Sequence, residues 1–239
     1  KFGTEPGYGE RKDMTNTLHR FGKPETLEDD FIVFIMASRG VNHEGAPEKV
    51  RLFLDAALKY HPVNIGSGLK GLMYRPEKDL NFKKLYLEGR REKVSAEAAV
   101  ASLEDSLYAA VVFDNRAAME GFLKEVKTLD LGLSVNVSAL ADEVRGACRK
   151  SGITIHSIEY SLGFHGDLFR LPDRLVLSLT TMCGHGMISA NFARKLVDRV
   201  KEARLTPEKA AGYMAKFCVC GAFNLSRAIR LLRTARQDD

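Results

Sequence analysis

The stretch "LYAAVVFDNRAAMEGFLKEVKTLDLGLSVNVSA", residues 107–139, decides the fold of this chain. It opens with the apolar run "LYAAVVFD", which is typical of a buried strand. Residues 115–129 follow with the spacing of an amphipathic helix, and Asp114 or Asn115 is placed to cap it. A second strand is expected at 132–139. Strands that alternate with helices at this distance predict an α/β fold, in which helices flank a mixed or mainly parallel central sheet.

The same pattern extends outward from this stretch toward both ends of the chain. The apolar run 31–37 predicts another buried strand, and Pro47 can open a helix that continues to about Tyr60. Further expected elements are helices at 95–106 and 140–152, strands at 154–164 and 174–182, and helices at about 187–203, 207–217 and 224–236. The last three helices would form a helical cap at the C-terminal end of the fold.

The loop-rich stretch 61–94 is the place where a domain boundary could fall. Residues 1–94 would then form an N-terminal α/β part, beginning with an irregular arm over residues 1–30. Residues 95–239 would form an α/β core that ends in the helical cap and carries the cysteine site. A single domain is equally compatible with the length of 239 residues.

Composition favours a soluble globular protein, with 45% hydrophobic and 28% charged residues. The longest apolar runs are too short to span a membrane, and the N-terminus lacks the pattern of a signal peptide. Four unevenly spaced cysteines suit the reducing cytoplasm, where thiols serve as ligands or nucleophiles. The net charge of +5 is spread along the chain and favours a small anionic or polar substrate. No nucleic-acid-binding motif is present, and the sequence leaves open a homo-oligomer.

The cysteines are the most informative residues, because two of them lie in the short segment "KFCVCGAFN" at 216–224. A disulfide between residues this close would close a badly strained ring, and a packed core has no need for such a pair. Cys183 lies in a second glycine-rich turn, "TTMCGHGMIS", at 180–189. Both turns precede predicted helices, whose N-terminal amides stabilise negative charge on sulfur. Cys148 differs, since it lies in the middle of a predicted helix.

Thiolates are the preferred ligands of iron–sulfur clusters, so Cys183, Cys218 and Cys220 predict such a cluster. Three thiolates on a four-iron cluster leave one iron open to substrate, which suits a lyase or a desulfurising enzyme. His185 would be either a fourth ligand or an acid–base group. The alternative is zinc bound by the same four side chains, which would brace a binding or scaffold protein. Simple packing of small thiols beside glycines is the remaining interpretation of these residues.

Other polar residues are candidates for catalysis. His165 lies between Gly163 and Gly166, and Asp167 follows close enough to orient it. Arg39 and His43 follow the first predicted strand, at the edge where open α/β sheets bind ligands. Arg39, His43 and His165 therefore support a third hypothesis, an anion-binding enzyme without a metal. The spacing "GSGLKG" at 66–71 resembles a dinucleotide fingerprint but lacks its strand and helix, so a loop near a pocket is favoured.

Overall fold

The computed structural model describes residues 20–67, 72–76, 91–161 and 163–237. The strands are β1 (Phe31–Met36), β2 (Asn64–Gly66), β3 (Tyr74–Pro76), β4 (Arg91–Lys93), β5 (Tyr108–Phe113) and β6 (Ser134–Ser138). The helices are α1 (Ala46–Leu58), α2 (Ala96–Ala101), α3 (Arg116–Leu129), α4 (Ala141–Ser151), α5 (Arg174–Thr180), α6 (Ala190–Lys201), α7 (Pro207–Ala215) and α8 (Leu225–Gln237). Two short 3₁₀ helices lie at Pro24–Thr26 and Leu168–Arg170. The structure is therefore a mixture of helices and strands.

The central sheet is antiparallel, so the prediction of a mixed or mainly parallel sheet is wrong. Its four strands run in the order β2-β5-β1-β6, and each neighbouring pair is antiparallel. In the β1–β5 pair, for example, Phe31 faces Phe113 and Met36 faces Tyr108. A separate two-stranded sheet pairs β3 with β4, again antiparallel.

The error has a topological cause. The connection β1–α1–β2 joins two strands that run in the same direction, but β5 lies between them; likewise β1 lies between β5 and β6. Each helical crossover therefore skips one position, and a strand of the other unit fills the gap in the opposite direction. This is the split βαβ topology, which is also called ferredoxin-like. The label describes strand order and says nothing about a cofactor.

Helices α1 and α3 pack against the central sheet, and together they form an apolar core. β1 and β5 are almost wholly buried, as continuous apolar runs predict. The ring of Phe122 on α3 contacts Phe53 on α1 at 4.9 Å and Phe113 on β5 at 5.2 Å, measured between ring centroids. The Asn115 side chain accepts a hydrogen bond from the Ala118 amide and so caps α3. The predicted elements at 31–37, 107–114, 115–129 and 132–139 are confirmed, and strands from both sides of position 94 meet in this sheet.

The predicted strand at 174–182 is wrong, because Arg174–Thr180 form helix α5. Asp173 caps this helix by accepting a hydrogen bond from the Val176 amide. Hydroxyls of Ser178 and Thr180 donate to carbonyls one turn earlier, so these polar groups are satisfied within the helix itself. A short run rich in apolar residues has no clear period that separates strand from helix, and this explains the error.

The predicted strand at 154–164 is also wrong, since the described part of this segment has no regular structure. It is mostly exposed, and Gly163 adopts a left-handed conformation with φ of 77°. Alternation of apolar and polar residues gave the strand signal, but none of the strands that the structure describes pairs with this segment.

The helical C-terminal cap is confirmed as α6, α7 and α8, which α5 precedes. Within the described ranges, no helix is both long enough and apolar enough to cross a membrane. Positions 68–71 of the glycine-rich stretch lie outside the described residues.

Candidate thiol site

Three of the four cysteines meet where two helical connections approach each other. Cys183 lies between α5 and α6, while Cys218 and Cys220 lie between α7 and α8. The sulfur atoms of Cys218 and Cys220 are 3.7 Å apart, and the Cys183 thiol is hydrogen-bonded to Cys218. The structure thus brings together residues that are 35 and 37 positions apart in the sequence. Cys183 and Cys218 are buried, and Cys220 is half-buried.

The turn around Cys183 supplies hydrogen bonds to its sulfur. Backbone amides of Met187 and His185 point at the sulfur and favour its charged form. Gly186 closes the turn with φ of 64°, and its amide donates to the Cys183 carbonyl at 3.0 Å. Helix α6 begins only at Ala190, so the amides that reach this sulfur belong to the turn and not to a helix N-terminus.

The turn around Cys220 depends on two glycines that touch each other. Gly221 has φ of 69°, and a side chain there would overlap the backbone of Gly66 at the end of β2. A side chain at Gly66 would in turn overlap the carbonyl of Cys220. The glycine-rich stretch therefore borders the thiol site through its first residue. Asn224 then caps α8 by accepting a hydrogen bond from the Arg227 amide at 2.9 Å.

The three thiols form a chain of hydrogen bonds that gives each a different acidity. The bond to Cys218, together with burial, raises the pKa of Cys183 far above its usual 9.0. At Cys218 the bond from Cys183 lowers the pKa, but the bond to Cys220 and burial outweigh it and raise the pKa to about 12. The bond from Cys218, and then the Ala222 amide, lower the pKa of Cys220. Cys220 is therefore the first of the three to ionise.

A buried charged cluster lies directly beside this site. The Asp30 carboxylate is completely buried and contacts two guanidiniums through one oxygen, Arg227 at 3.1 Å and Arg20 at 3.3 Å. Its other oxygen accepts a hydrogen bond from Asn224 at 3.0 Å. Burial, only partly offset by Asp30, lowers the pKa of Arg227 to about 10. Two cations thus share one carboxylate, which leaves one net positive charge in the interior.

Arg20 links this cluster to the thiols, and sequence reasoning missed it as a candidate. Its Nη2 donates to the Ala222 carbonyl, and its charge lowers the pKa of both Cys218 and Cys220. Arg20 Nε faces the Asp30 carboxylate at 3.3 Å, whereas Arg20 Nη1 and Asn64 Oδ1 are buried without a hydrogen-bond partner among the described residues. Arg20 lies in the stretch predicted to be an irregular arm, where no periodicity or motif marked it.

The remaining predicted residues lie elsewhere on the molecule. The His185 side chain is exposed, although its amide contacts the Cys183 sulfur. Arg39 and His43 follow β1, at the opposite end of that strand from Asp30. His43 Nδ1 accepts a hydrogen bond from the Gly40 amide at 2.9 Å. In an antiparallel sheet the carboxyl ends of the strands do not share one edge, so the argument that placed a ligand at Arg39 and His43 is lost.

His165 and Asp167 lie on the exposed segment that precedes α5. Asp167 caps the short 3₁₀ helix by accepting a hydrogen bond from the Phe169 amide. The neighbouring Phe164 ring packs on Phe21 at 5.8 Å, which places this segment near the Arg20 end of the molecule. His165 is therefore not brought together with Arg39 and His43.

Cys148 is separate from the other thiols, as the sequence predicted. It is buried on α4, and burial is what raises the pKa of its thiol. Within the part of the chain that the structure describes, no group of three or more His, Cys, Asp or Glu side chains is already arranged as a shell around a metal ion. The three clustered sulfurs instead face one another through shared protons, so a metal would have to displace those protons.

Comparison of the chain with protein-family models, with curated proteins and with solved structures gave no match.

Proposed function

We propose that this protein binds a metal centre through Cys183, Cys218 and Cys220, and that the centre is an iron–sulfur cluster used by an enzyme of the lyase or desulfurising type. The observation that carries the proposal is the meeting of three thiols from two distant turns in one buried place. Thiolates are the ligands that iron–sulfur clusters prefer, and backbone amides aimed at the sulfurs favour their ionised form.

The buried charges around the thiols support an anionic centre. Arg20 and Arg227 exceed Asp30 by one positive charge in the interior, which is costly unless an anion compensates it. A doubly charged metal core with three thiolates carries one net negative charge. Such a centre would balance the one positive charge by which Arg20 and Arg227 exceed Asp30. Three neutral thiols would leave that net charge uncompensated.

The number of thiols supports catalysis over simple electron transfer. An exposed His185 side chain leaves three protein ligands near the site, and a cluster held by three thiolates has one iron that can act as a Lewis acid. Four free cysteines suit the reducing cytoplasm, which is the compartment that we propose. His165, Asp167, Arg39 and His43 remain predictions as catalytic groups.

Zinc is the second candidate, and one distance favours it. The sulfurs of Cys218 and Cys220 are 3.7 Å apart. Two thiolates on one tetrahedral zinc ion, with Zn–S bonds of about 2.3 Å, lie about 3.8 Å apart. Sulfurs that bind different irons of a cluster stand farther apart, so a cluster requires these side chains to turn outward.

The test is metal and sulfide analysis, with an absorption spectrum, on protein purified without oxygen. Iron with equivalent sulfide and a brown colour supports the cluster, whereas one zinc per chain in a colourless protein selects the second candidate. Cys183→Ala, Cys218→Ala and Cys220→Ala should each abolish the centre, and Cys148→Ala is the matched control that should retain it. Protein that holds neither metal after reconstitution would overturn the proposal.

A further inference from the structure

A cavity of about 780 Å³ lies between the Arg20 segment, the start of α5 and the exposed segment that precedes it. This volume is within the range of small-molecule sites. Its walls are largely apolar and include Phe21, Phe164, Leu168, Leu171, Pro172 and Leu177. Phe21 and Phe164 meet at 5.8 Å between ring centroids, so the cavity offers aromatic surfaces to a ligand.

Two guanidiniums line this otherwise apolar cavity, and Glu159 is the acidic side chain in its wall. These three charges leave one net positive charge around the space. The Arg174 guanidinium lies 5.5 Å above the centroid of the Phe21 ring. No carboxylate of the described residues pairs with Arg174, so its fork of N–H groups is available to an anion.

Arg20 connects the cavity to the thiol site. Its side chain is only 4% exposed, its Nε lies 3.3 Å from the Asp30 carboxylate, and its Nη1 has no hydrogen-bond partner among the residues that the structure describes. Its Nη2 holds the Ala222 carbonyl, two residues beyond Cys220. On the same wall the Thr181 hydroxyl accepts a hydrogen bond from the Phe21 amide at 3.1 Å. Thr181 lies two residues before Cys183. Both thiol turns are thus anchored at the wall of this cavity.

We propose that the cavity binds a small organic anion, in which a carboxylate or phosphate group is attached to an aromatic or otherwise apolar body. The anionic group lies between Arg174 at the rim and Arg20 in the wall, and the apolar body lies against Phe21 and Phe164. Buried N–H groups without partners are costly, and an acceptor supplied by a ligand removes that cost. The further statement that this anion is the substrate of the thiol site rests on the proposed function.

Calorimetric titration with three probes tests this site on the full chain. The probes are 3-phenylpropanoate, phenyl phosphate and 3-phenylpropanamide, of which the amide keeps the apolar body of the first but has no charge. We expect one or both anions to bind and the amide to bind at least about 10-fold more weakly, because a charge-assisted hydrogen bond is lost. The preferred anion then identifies the head group. Equal binding of all three probes, or of none, would overturn the inference.

Variants locate the binding to this cavity. Arg174→Gln should weaken binding of the preferred anion about 10-fold, because it removes a guanidinium that contacts the Phe21 ring but pairs with no carboxylate of the described residues. Arg204→Gln is the matched control, since Arg204 is an exposed arginine whose partner is Glu202, away from the cavity. Unchanged affinity in Arg174→Gln would also contradict the inference.

Metal analysis of the same samples separates this inference from the proposed function. If metal is present and the anions do not bind, the cavity inference fails and the metal proposal stands. If the anions bind through Arg174 but no metal is found after reconstitution, the cavity inference stands and the ligand is not the substrate of a metal centre.

Discussion

Two regions of the molecule are buried but have opposite chemistry. One consists of strands β1 and β5, and the other is the charged cluster around Asp30 and Arg227 beside the thiol turns, which we call the junction. The two strands contribute an almost unbroken apolar layer to the core. Four of the six buried polar or charged residues in the described part of the chain, by contrast, lie at the junction. They are Asp30, Asn64, Asn224 and Arg227. The junction thus concentrates the groups that are costly to bury.

This difference separates a region of apolar packing from a region of costly buried charge. Apolar packing tolerates many side chains of similar size, and its stabilisation follows the area removed from water. A buried carboxylate with two guanidiniums is stable only when each group keeps its partners. Retaining Arg20 with its Nη1 unpartnered among the described residues, next to three thiols, makes sense where an anion is bound, and strands β1 and β5 contain nothing comparable.

The largest expected effect comes from removing the carboxylate at the junction. Asp30→Asn should lower the free energy of unfolding by about 3–5 kcal/mol, because it leaves Arg20 and Arg227 buried without a counter-charge. Urea denaturation measures the change. Asp29→Asn is the matched control: Asp29 pairs with Arg230 near the surface, and its loss should cost about 0–1 kcal/mol. Similar losses in the two variants would mean that the junction is no more demanding than the surface.

The next effect concerns the pH dependence of metal binding. The raised pKa values of Cys183 and Cys218 keep both thiols protonated at neutral pH, so a bound metal must displace two protons. Zinc affinity should therefore rise about 100-fold per pH unit between roughly pH 6 and 8. Competition with a chromophoric chelator measures it, and a slope near zero would show that the thiols are already ionised.

The same raised pKa values make the stability of the metal-free protein fall with pH. Cysteines of the unfolded chain ionise near the ordinary pKa of 9.0, whereas Cys183 and Cys218 stay protonated in the fold. Above about pH 9 the unfolded state therefore binds fewer protons than the folded state does. The free energy of unfolding should fall as the pH rises through this range. Metal affinity and metal-free stability thus change in opposite directions with pH.

The smallest effect comes from the contact between the sheet and the thiol turn. Gly66→Ala should cost about 1–3 kcal/mol, because its new methyl group would overlap the Cys220 carbonyl and displace the turn. It should also weaken metal binding. Gly212→Ala on α7 is the control: a side chain there meets open space, and alanine should stabilise the helix by up to about 1 kcal/mol. Metal affinity that is unchanged in Gly66→Ala would show that the turn does not depend on this contact.

The elements that the sequence predicted correctly have a clear local signal. The strand at 107–114 and the helix at 115–129 combine a hydrophobic period with the cap at Asn115, and both form with nearly the expected bounds. The grouping of Cys183 with Cys218 and Cys220, and the exclusion of Cys148, also followed from glycine-rich turns and a helical context. These predictions needed only neighbours along the chain.

The elements that the sequence predicted wrongly needed information from other parts of the fold. The run 174–182 is short and rich in apolar residues, so its own pattern does not separate strand from helix and its packing among the C-terminal helices decides. The segment 154–164 alternates like a strand, but no strand of the described fold pairs with it. The direction of the sheet depends on which strand fills the gap left by each crossover, and no residue within a strand encodes that choice.

The sequence by itself determined which residues could act as soft ligands and which stretches could bury an apolar face, because residue type and period are local properties. Only the tertiary structure decided that Arg20 faces the thiols, that Gly66 touches the Cys220 turn, and that Cys220 ionises before Cys183. Electrostatic interactions and close contacts depend on distance in space, and here they join residues from 35 to about 200 positions apart along the chain.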